Sequence, residues 1–292
     1  MQNGITLFIM TSKGYEVLKT IIANFNSAVI DKVVSSPDKS IQSDYYEEIK
    51  NLCLISHIPF YDRQSNFQCI TAYSVAVSWR WLIDGNSKLI VLHDSILPKY
   101  RGFAPLVNSL INGETEMGVT ALFASSEYDK GNIIFQEKIS IEYPIRIHAA
   151  IKLAENLYAL LAVKIIEIII KGMNMPCEVQ DESLATYSLW LNEADYRINW
   201  HANSSDIKRF IDSVGYPYQG ASTLAENKKL RILDSEHVND VHIENRKPGK
   251  IIFLQEGVPI VVCGIGLIKL TDIRNDDGES LIPFKKFRTL FQ

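Results

Sequence analysis

The strongest constraint on the fold is an alternation through the first half of the chain, where short apolar runs of strand length trade places with stretches of helical periodicity. Residues 5–11 read as a buried strand, and Ser12-Lys13-Gly14 leads into a helical pattern over 15–25. Further strands are expected over 28–35, 73–79 and 88–92, with a helix over 44–56. A helix over 103–112 follows, and β-rich runs over 119–124 and 133–141 flank a loop that carries Asp129. This order predicts a three-layer α/β fold, with ligands collecting outside strand ends. His93 stands where one of those strands gives out.

The most hydrophobic segment, residues 147–170, is interrupted by Lys152, Glu155, Lys164 and Glu167. Each lysine at a bilayer centre would cost roughly 2.5–3.5 kcal/mol. A long amphipathic helix closing the sheet is the better reading. Beyond it the texture changes to short β-runs over 229–233, 249–254, 259–262 and 267–270, with Glu256-Gly257 and Gly264-Ile265-Gly266 as turns. One helix is expected over 206–213, with Ser204 or Ser205 as its N-cap. A length of 292 residues suits two unequal domains, and the change of texture sets them at 1–184 and 185–292. The second reads as a small, partly open β-barrel.

Charge narrows the partners. The formal net charge is −4, and residues 177–292 hold 14 Lys and Arg against 17 Asp and Glu. A domain that grips nucleic acid would be expected to carry a basic excess, so this balance weighs against such a partner. Cys53, Cys69, Cys177 and Cys263 are scattered without zinc spacing, so no metal is expected and the thiols read as reduced. The opening Met1-Gln2-Asn3-Gly4-Ile5 has no basic, then apolar, leader pattern. A cytoplasmic protein with no membrane association is expected, and the apolar runs of the second domain read most simply as its own core, with a homodimer face as the alternative.

The chemistry concentrates in Leu92-His93-Asp94-Ser95-Ile96-Leu97-Pro98-Lys99-Tyr100-Arg101-Gly102 and in the later Asp129-Lys130-Gly131. A histidine can take a proton from an amine and return one to a leaving nitrogen, and an aspartate can orient its ring. Singly, each residue has a plainer reading: a strand-end histidine packs, Asp129 before Lys-Gly forms a turn, and Ser95 caps or turns the chain. Together the run resembles the signature of the folate-dependent formyltransferases, which are methionyl-tRNA formyltransferase-like, and is most similar to the sugar N-formyltransferases. In that family Asn-x-His-x-Ser-x-Leu-Pro-x-Tyr-Arg-Gly and a later Asp-x-Gly bring an Asn, a His and an Asp to one site. His93 and Asp129 stand in register, and the Asn position is Val91.

The resemblance continues through Ser78-Trp79-Arg80-Trp81-Leu82-Ile83, similar to the loop that cradles the pterin of 10-formyltetrahydrofolate in the sugar enzymes. Asp195-Tyr196-Arg197-Ile198-Asn199-Trp200 and Tyr216-Pro217-Tyr218-Gln219-Gly220-Ala221 resemble the start of the family's C-terminal domain. The resemblance implies a Rossmann-like formyltransferase domain followed by a smaller open-barrel-like domain. It implies 10-formyltetrahydrofolate as formyl donor, His93 as proton shuttle and Asp129 as its partner. Lys13, Lys99, Tyr100, Arg101 and Gly102 are the residues expected to meet the acceptor, with Arg101 also open to a role in fixing the turn. Three acceptor classes are compatible: a nucleotide-linked amino sugar, an aminoacyl-tRNA and a small amine. The Trp-Arg-Trp loop and the lack of a basic excess over residues 177–292 favour the sugar, in a setting of polysaccharide biosynthesis. Valine at position 91 also leaves open a relative that binds these ligands without turnover.

Overall fold

The computed structural model describes residues 2–83, 85 and 87–292. In chain order the elements are β1 (Gln2–Ile9), α1 (Thr11–Phe25), β2 (Ile30–Ser35), α2 (Tyr46–Ile55), β3 (Phe60–Asp62), β4 (Thr71–Val77), β5 (Lys88–His93), β6 (Arg101–Gly102), α3 (Pro105–Ile111), β7 (Glu116–Phe123), β8 (Ile133–Ser140), α4 (Ile147–Ile170) and β9 (Tyr187–Ser188). There follow α5 (Ser204–Ser213), β10 (Ala221–Ala225), β11 (Lys228–Val238), β12 (Ile251–Gln255), β13 (Val258–Val262) and β14 (Leu267–Asn275).

The chain divides into two compact units, and the first takes residues 1–106, 115–141 and 150–189. Its seven-stranded sheet has the order β3-β2-β1-β4-β5-β7-β8. β1 to β5 run parallel, while β7 is antiparallel to both β5 and β8. The order reverses between β1 and β4, the switch point where an open α/β sheet leaves a crevice at its carboxyl edge.

Helices α1, α2 and α4 are neighbours: α1 packs beside α2, and Lys13 of α1 lies over the Tyr158 ring of α4. Apolar residues of α4 such as Ala154, Leu157, Leu161 and Ile165 are buried, whereas Lys164 reaches out to Glu137. None of the helices among the described residues is long and apolar enough to cross a membrane. Across the sheet, Val34, Phe8, Ala76 and Val91 stand side by side in one row. That row is covered by Tyr61, Phe67, Trp79 and Ile83, which belong to β3 and to loops. Where the alternation of strands and helices suggests a helical layer on each side, this stretch of sheet is roofed by loop aromatics, which leaves room for a site.

The second unit comprises residues 107–114, 142–149 and 190–292 and contains a five-stranded sheet ordered β10-β11-β14-β13-β12. The chain end closes it: Phe291 bridges to Ala225 in β10, and Leu290 bridges to Lys250 beside β12. Both edges are thereby covered, which is what an open barrel needs. Helix α5 begins one residue earlier than a Ser204 cap, and two earlier than a Ser205 cap, would place it. Its N-cap is Asn203, whose side-chain oxygen accepts from Asp206 N at 2.8 Å. Asparagine caps as well as serine does, so the displaced start costs nothing. Strands β3 and β10 were not legible as runs, being short and, in β10, carrying Ser and Thr.

Candidate active site

β5 delivers His93 to the end of the sheet, paired with Thr120 of β7. The following turn is pinned from below. Thr120 Oγ1 donates to Ser95 O at 2.6 Å and accepts from Leu97 N, and Gln136 Nε2 donates to Leu97 O at 2.8 Å. Ser95 spends its own hydroxyl on Lys99 O at 2.7 Å, so it is a turn residue. The turn ends at Tyr100, held at φ 59° with its N–H donating to Thr186 Oγ1. That conformation, costly for a residue with a Cβ, aims the Tyr100 carbonyl at His93.

The buried imidazole sits between two acceptors. His93 Nε2 lies 2.9 Å from Tyr100 O, where only the ring can donate. Nδ1 lies 3.5 Å from Asp129 Oδ1, an ion-pair separation that is long for a hydrogen bond. Both contacts are donations only in the imidazolium form. Asp129 uses its other oxygen to accept from Gly102 N at 2.8 Å.

Because β7 is antiparallel to β5, Phe123 is level with Ile90, and the β7–β8 loop leaves the sheet away from His93. The loop must double back to bring Asp129 to the ring. It does so with Asp129 at φ 55° and with Gly131 so close to Phe123 that a Cβ would come within 1.6 Å of its carbonyl oxygen. Only glycine fits there, which accounts for the Asp-Lys-Gly wording.

Gln180, which no motif marks, holds the doubled-back loop. Its Nε2 donates to Asp129 O and to Gly131 O, both at 2.7 Å, and its Oε1 accepts from Arg101 Nε and Nη2. Arg101 has 0% exposure, and its remaining bonds go to Glu182 at 2.7 and 2.8 Å and to the Tyr187 hydroxyl at 3.5 Å. A guanidinium this deep demands acceptors, and Asp181-Glu182 is an acidic pair that could have been nominated for it from sequence. The same strap continues upward: Arg101 N donates to Thr186 O, Phe103 N to Ser188 O, and β6 pairs with β9.

The residues expected to meet the acceptor therefore separate. Arg101 is buried and saturated, so it fixes the turn. Gly102 has φ 99°, and a Cβ on it would come within 2.6 Å of Ser188 O, so its part is structural. Lys13 is buried and paired with Asp94. Lys99 is exposed, and Tyr100 contributes its backbone.

The tryptophan loop leaves β4 level with His93, since Val77 pairs with Leu92. Trp79 packs edge-on to Phe8 at 5.2 Å and to Trp81 at 5.2 Å, and Ile83 joins the apolar row. Arg80 swings to Asp38 at 2.5 Å, Arg63 lies 4.3 Å over the Trp81 ring, and Leu82 is 83% exposed. Trp79 Nε1 is buried with no hydrogen-bond partner among the described residues. A buried unpaired donor costs free energy, and the described residues supply no acceptor for it. A planar, polar-edged pterin fits this combination of aromatic walls, orphaned N–H and exposed leucine. Val91, two residues before His93 and on the same strand face, packs on Phe8 and Ala76 and offers no donor.

The family model for formyl transferase matches residues 61–146, and that for the formyl transferase C-terminal domain matches 191–285. A methionyl-tRNA formyltransferase of Carboxydothermus hydrogenoformans is 30% identical over 191 residues, which is 65% of this chain and 60% of that one. The methionyl-tRNA formyltransferase of Syntrophomonas wolfei is 25% identical over 260 residues, 88% of this chain and 82% of its own. In structure, the sugar 3N-formyl transferase WlaRD, solved in the presence of dTDP and 5-N-formyl-THF, superposes with a TM-score of 0.68 at 21% identity, covering 95% of this chain and 99% of that one. The match to the first of these relatives spans about three fifths of its length, while the fold extends over nearly all of WlaRD. With both family models in sequence along the chain and the histidine–aspartate pair at the end of β5, the protein belongs to the formyl transferase family.

Proposed function

We propose that the protein transfers the formyl group of 10-formyltetrahydrofolate to the amino group of a nucleotide-linked amino sugar. The observation that carries this reading is the His93 ring, held between the Tyr100 carbonyl and Asp129 where β5 ends. The donor supplies an activated formyl carbon, and Trp79, Trp81, Leu82 and the backbone of the 78–83 loop would hold its pterin. With Nε2–H donated to Tyr100 O, Nδ1 of the neutral ring, at its long separation from Asp129, is the nitrogen that takes the proton released when the acceptor amine attacks. The ring then returns one to the nitrogen that leaves, so a C–N bond forms, another breaks, and no covalent acyl-enzyme is needed. Asp129 stabilises the ring while it carries that proton. In its imidazolium form, flanked by two acceptors, His93 also presents positive charge toward the formyl oxygen, the duty an amide at position 91 would otherwise share.

The acidic balance of residues 177–292 supports a small acceptor over a transfer RNA. The four cysteines are unpaired thiols, in keeping with a cytoplasmic setting. A second reading, ligand binding without turnover, is favoured by the apolar packing of Val91. Purified protein given 10-formyltetrahydrofolate and a panel of dTDP-, UDP- and GDP-linked amino sugars, with methionyl-tRNA as a further arm, decides among these. Release of tetrahydrofolate with a sugar, abolished in His93→Ala, is expected. Turnover with methionyl-tRNA alone overturns the acceptor class, and heat of binding without turnover establishes the second reading.

A further inference from the structure

We propose that Phe103 and Tyr128 form the surface on which the acceptor's sugar ring rests, and so select the amines that reach His93; this deepens the acceptor reading and depends on it. The two flanks of β5 are unequal. On one, β4 leads into the tryptophan loop assigned to the donor. On the other lie β7 and β8, whose connecting loop returns with Tyr128 and Asp129. An amine attacking the formyl carbon has to come from the flank that the donor does not fill.

On that flank two aromatic rings stand open. Phe103 is 46% exposed and Tyr128 is 67% exposed, with ring centroids 5.9 Å apart at 53°. Each is joined by one peptide bond to an end of the Gly102 N–Asp129 Oδ2 hydrogen bond, so the rings are carried by the catalytic pair's own framework. Their backbones are fixed as well, through Phe103 N to Ser188 O and through Asp129 O to Gln180. Tilted and not stacked, the pair leaves ring faces free.

The charges nearby point to an uncharged contact. Arg101 is neutralised by Glu182 and Lys130 by Glu127, and Lys13 is committed to Asp94, so among the described residues here exposed Lys99 is the cation left for a phosphate. A diphosphate held against the paired groups would have to displace a carboxylate. A pyranose ring presents a face of C–H groups that sits on an aromatic ring, with hydroxyls at its rim for the Tyr128 phenol. The phosphates, several bonds from the amine, fall outside this contact.

Steady-state kinetics of Phe103→Ala, Tyr128→Ala, the double variant and Tyr128→Phe, with the dTDP-, UDP- and GDP-linked amino sugars, test the assignment. The double variant should raise the acceptor KM by about tenfold, the factor that ~1.4 kcal/mol of lost contact gives, while the donor KM moves by less than about twofold. Tyr128→Phe, which keeps the ring and loses only the phenol's hydrogen bond, should raise the acceptor KM by less than the double variant does. Wild-type turnover with an unchanged acceptor KM in the double variant, or equal shifts in both KM values, overturns the aromatic platform and leaves the activity standing. No wild-type turnover with any amino sugar sinks both.

Discussion

The guanidinium of Arg101 donates through two nitrogens to a single acceptor, the Oε1 of Gln180, at 3.1 and 2.7 Å. The amide is thereby oriented, and its two N–H bonds are spent on the carbonyls of Asp129 and Gly131. Gln180→Ala should leave these carbonyls and the buried guanidinium short of partners, at about 1–3 kcal/mol of stability, read as a fall in the urea midpoint. The loop behind Asp129 should loosen, so kcat should drop more than either KM. Gln180→Glu, which keeps the acceptor for Arg101 and loses both donors, should reproduce the kcat loss with less effect on stability. A kcat untouched in both variants would show that the loop holds itself.

Glu182 gives the same network a pH signature. Its hydrogen bond to the Arg101 side chain holds its carboxyl below the usual glutamate range. A carboxyl whose value is depressed on folding contributes stability above the unfolded value, about 4.3, and loses it as pH falls through the lower folded value. The difference in unfolding free energy between wild type and Glu182→Gln should therefore be constant at neutral pH and close only in acid. Urea titrations across that range measure it, and a difference that closes at higher pH would assign it to another group.

How much of this was readable beforehand depends on the range of the interaction. The alternation that set the α/β class, the strand ending at His93 and the Asp-Lys-Gly turn are local patterns, and they survive in the structure with small shifts of boundary. The roles of charged residues are not local. Lys13 and Arg101 looked available because their partners, Asp94 and Glu182, lie about 81 positions away along the chain. Gln180 was invisible for the same reason, since an amide in a polar loop has no period or spacing to betray it. The direction of β7 was equally hidden: an antiparallel strand reads like a parallel one, yet it decides that Asp129 must return across the sheet.

Trp79 offers a test of the donor site that needs no acceptor. Its buried Nε1 has no partner among the described residues, so the ligand-free protein carries an unsatisfied donor. Trp79→Phe removes that donor while keeping an aromatic ring against Phe8. Stability without ligand should change by less than about 1 kcal/mol, since the lost packing is offset by relief of a desolvated N–H. Folate binding, followed by calorimetry with 5-formyltetrahydrofolate, should weaken by about tenfold, the loss of one hydrogen bond worth ~1.4 kcal/mol. A variant that loses stability but keeps its folate affinity would make Trp79 a packing residue only.

Val91 is the position where the chain departs from its family's wording, and its surroundings predict what restoring the amide would do. The side chain lies partly buried against Phe8, Ala76 and the loop aromatics, on the same face of β5 as His93. Val91→Asn places an amide in that apolar row, and one of its donors lacks a protein partner there. The ligand-free protein should lose about 1–3 kcal/mol, visible as a lower melting temperature. During transfer the same donor can reach the formyl oxygen as it gains charge, an interaction worth about 10²–10³ in rate when it is well aimed. The expected result is a less stable protein with a higher kcat and an acceptor KM close to the wild-type value. If stability falls and kcat does not rise, the formyl oxygen is held elsewhere, and the positive charge of His93 alone carries the stabilisation that the family divides between two residues.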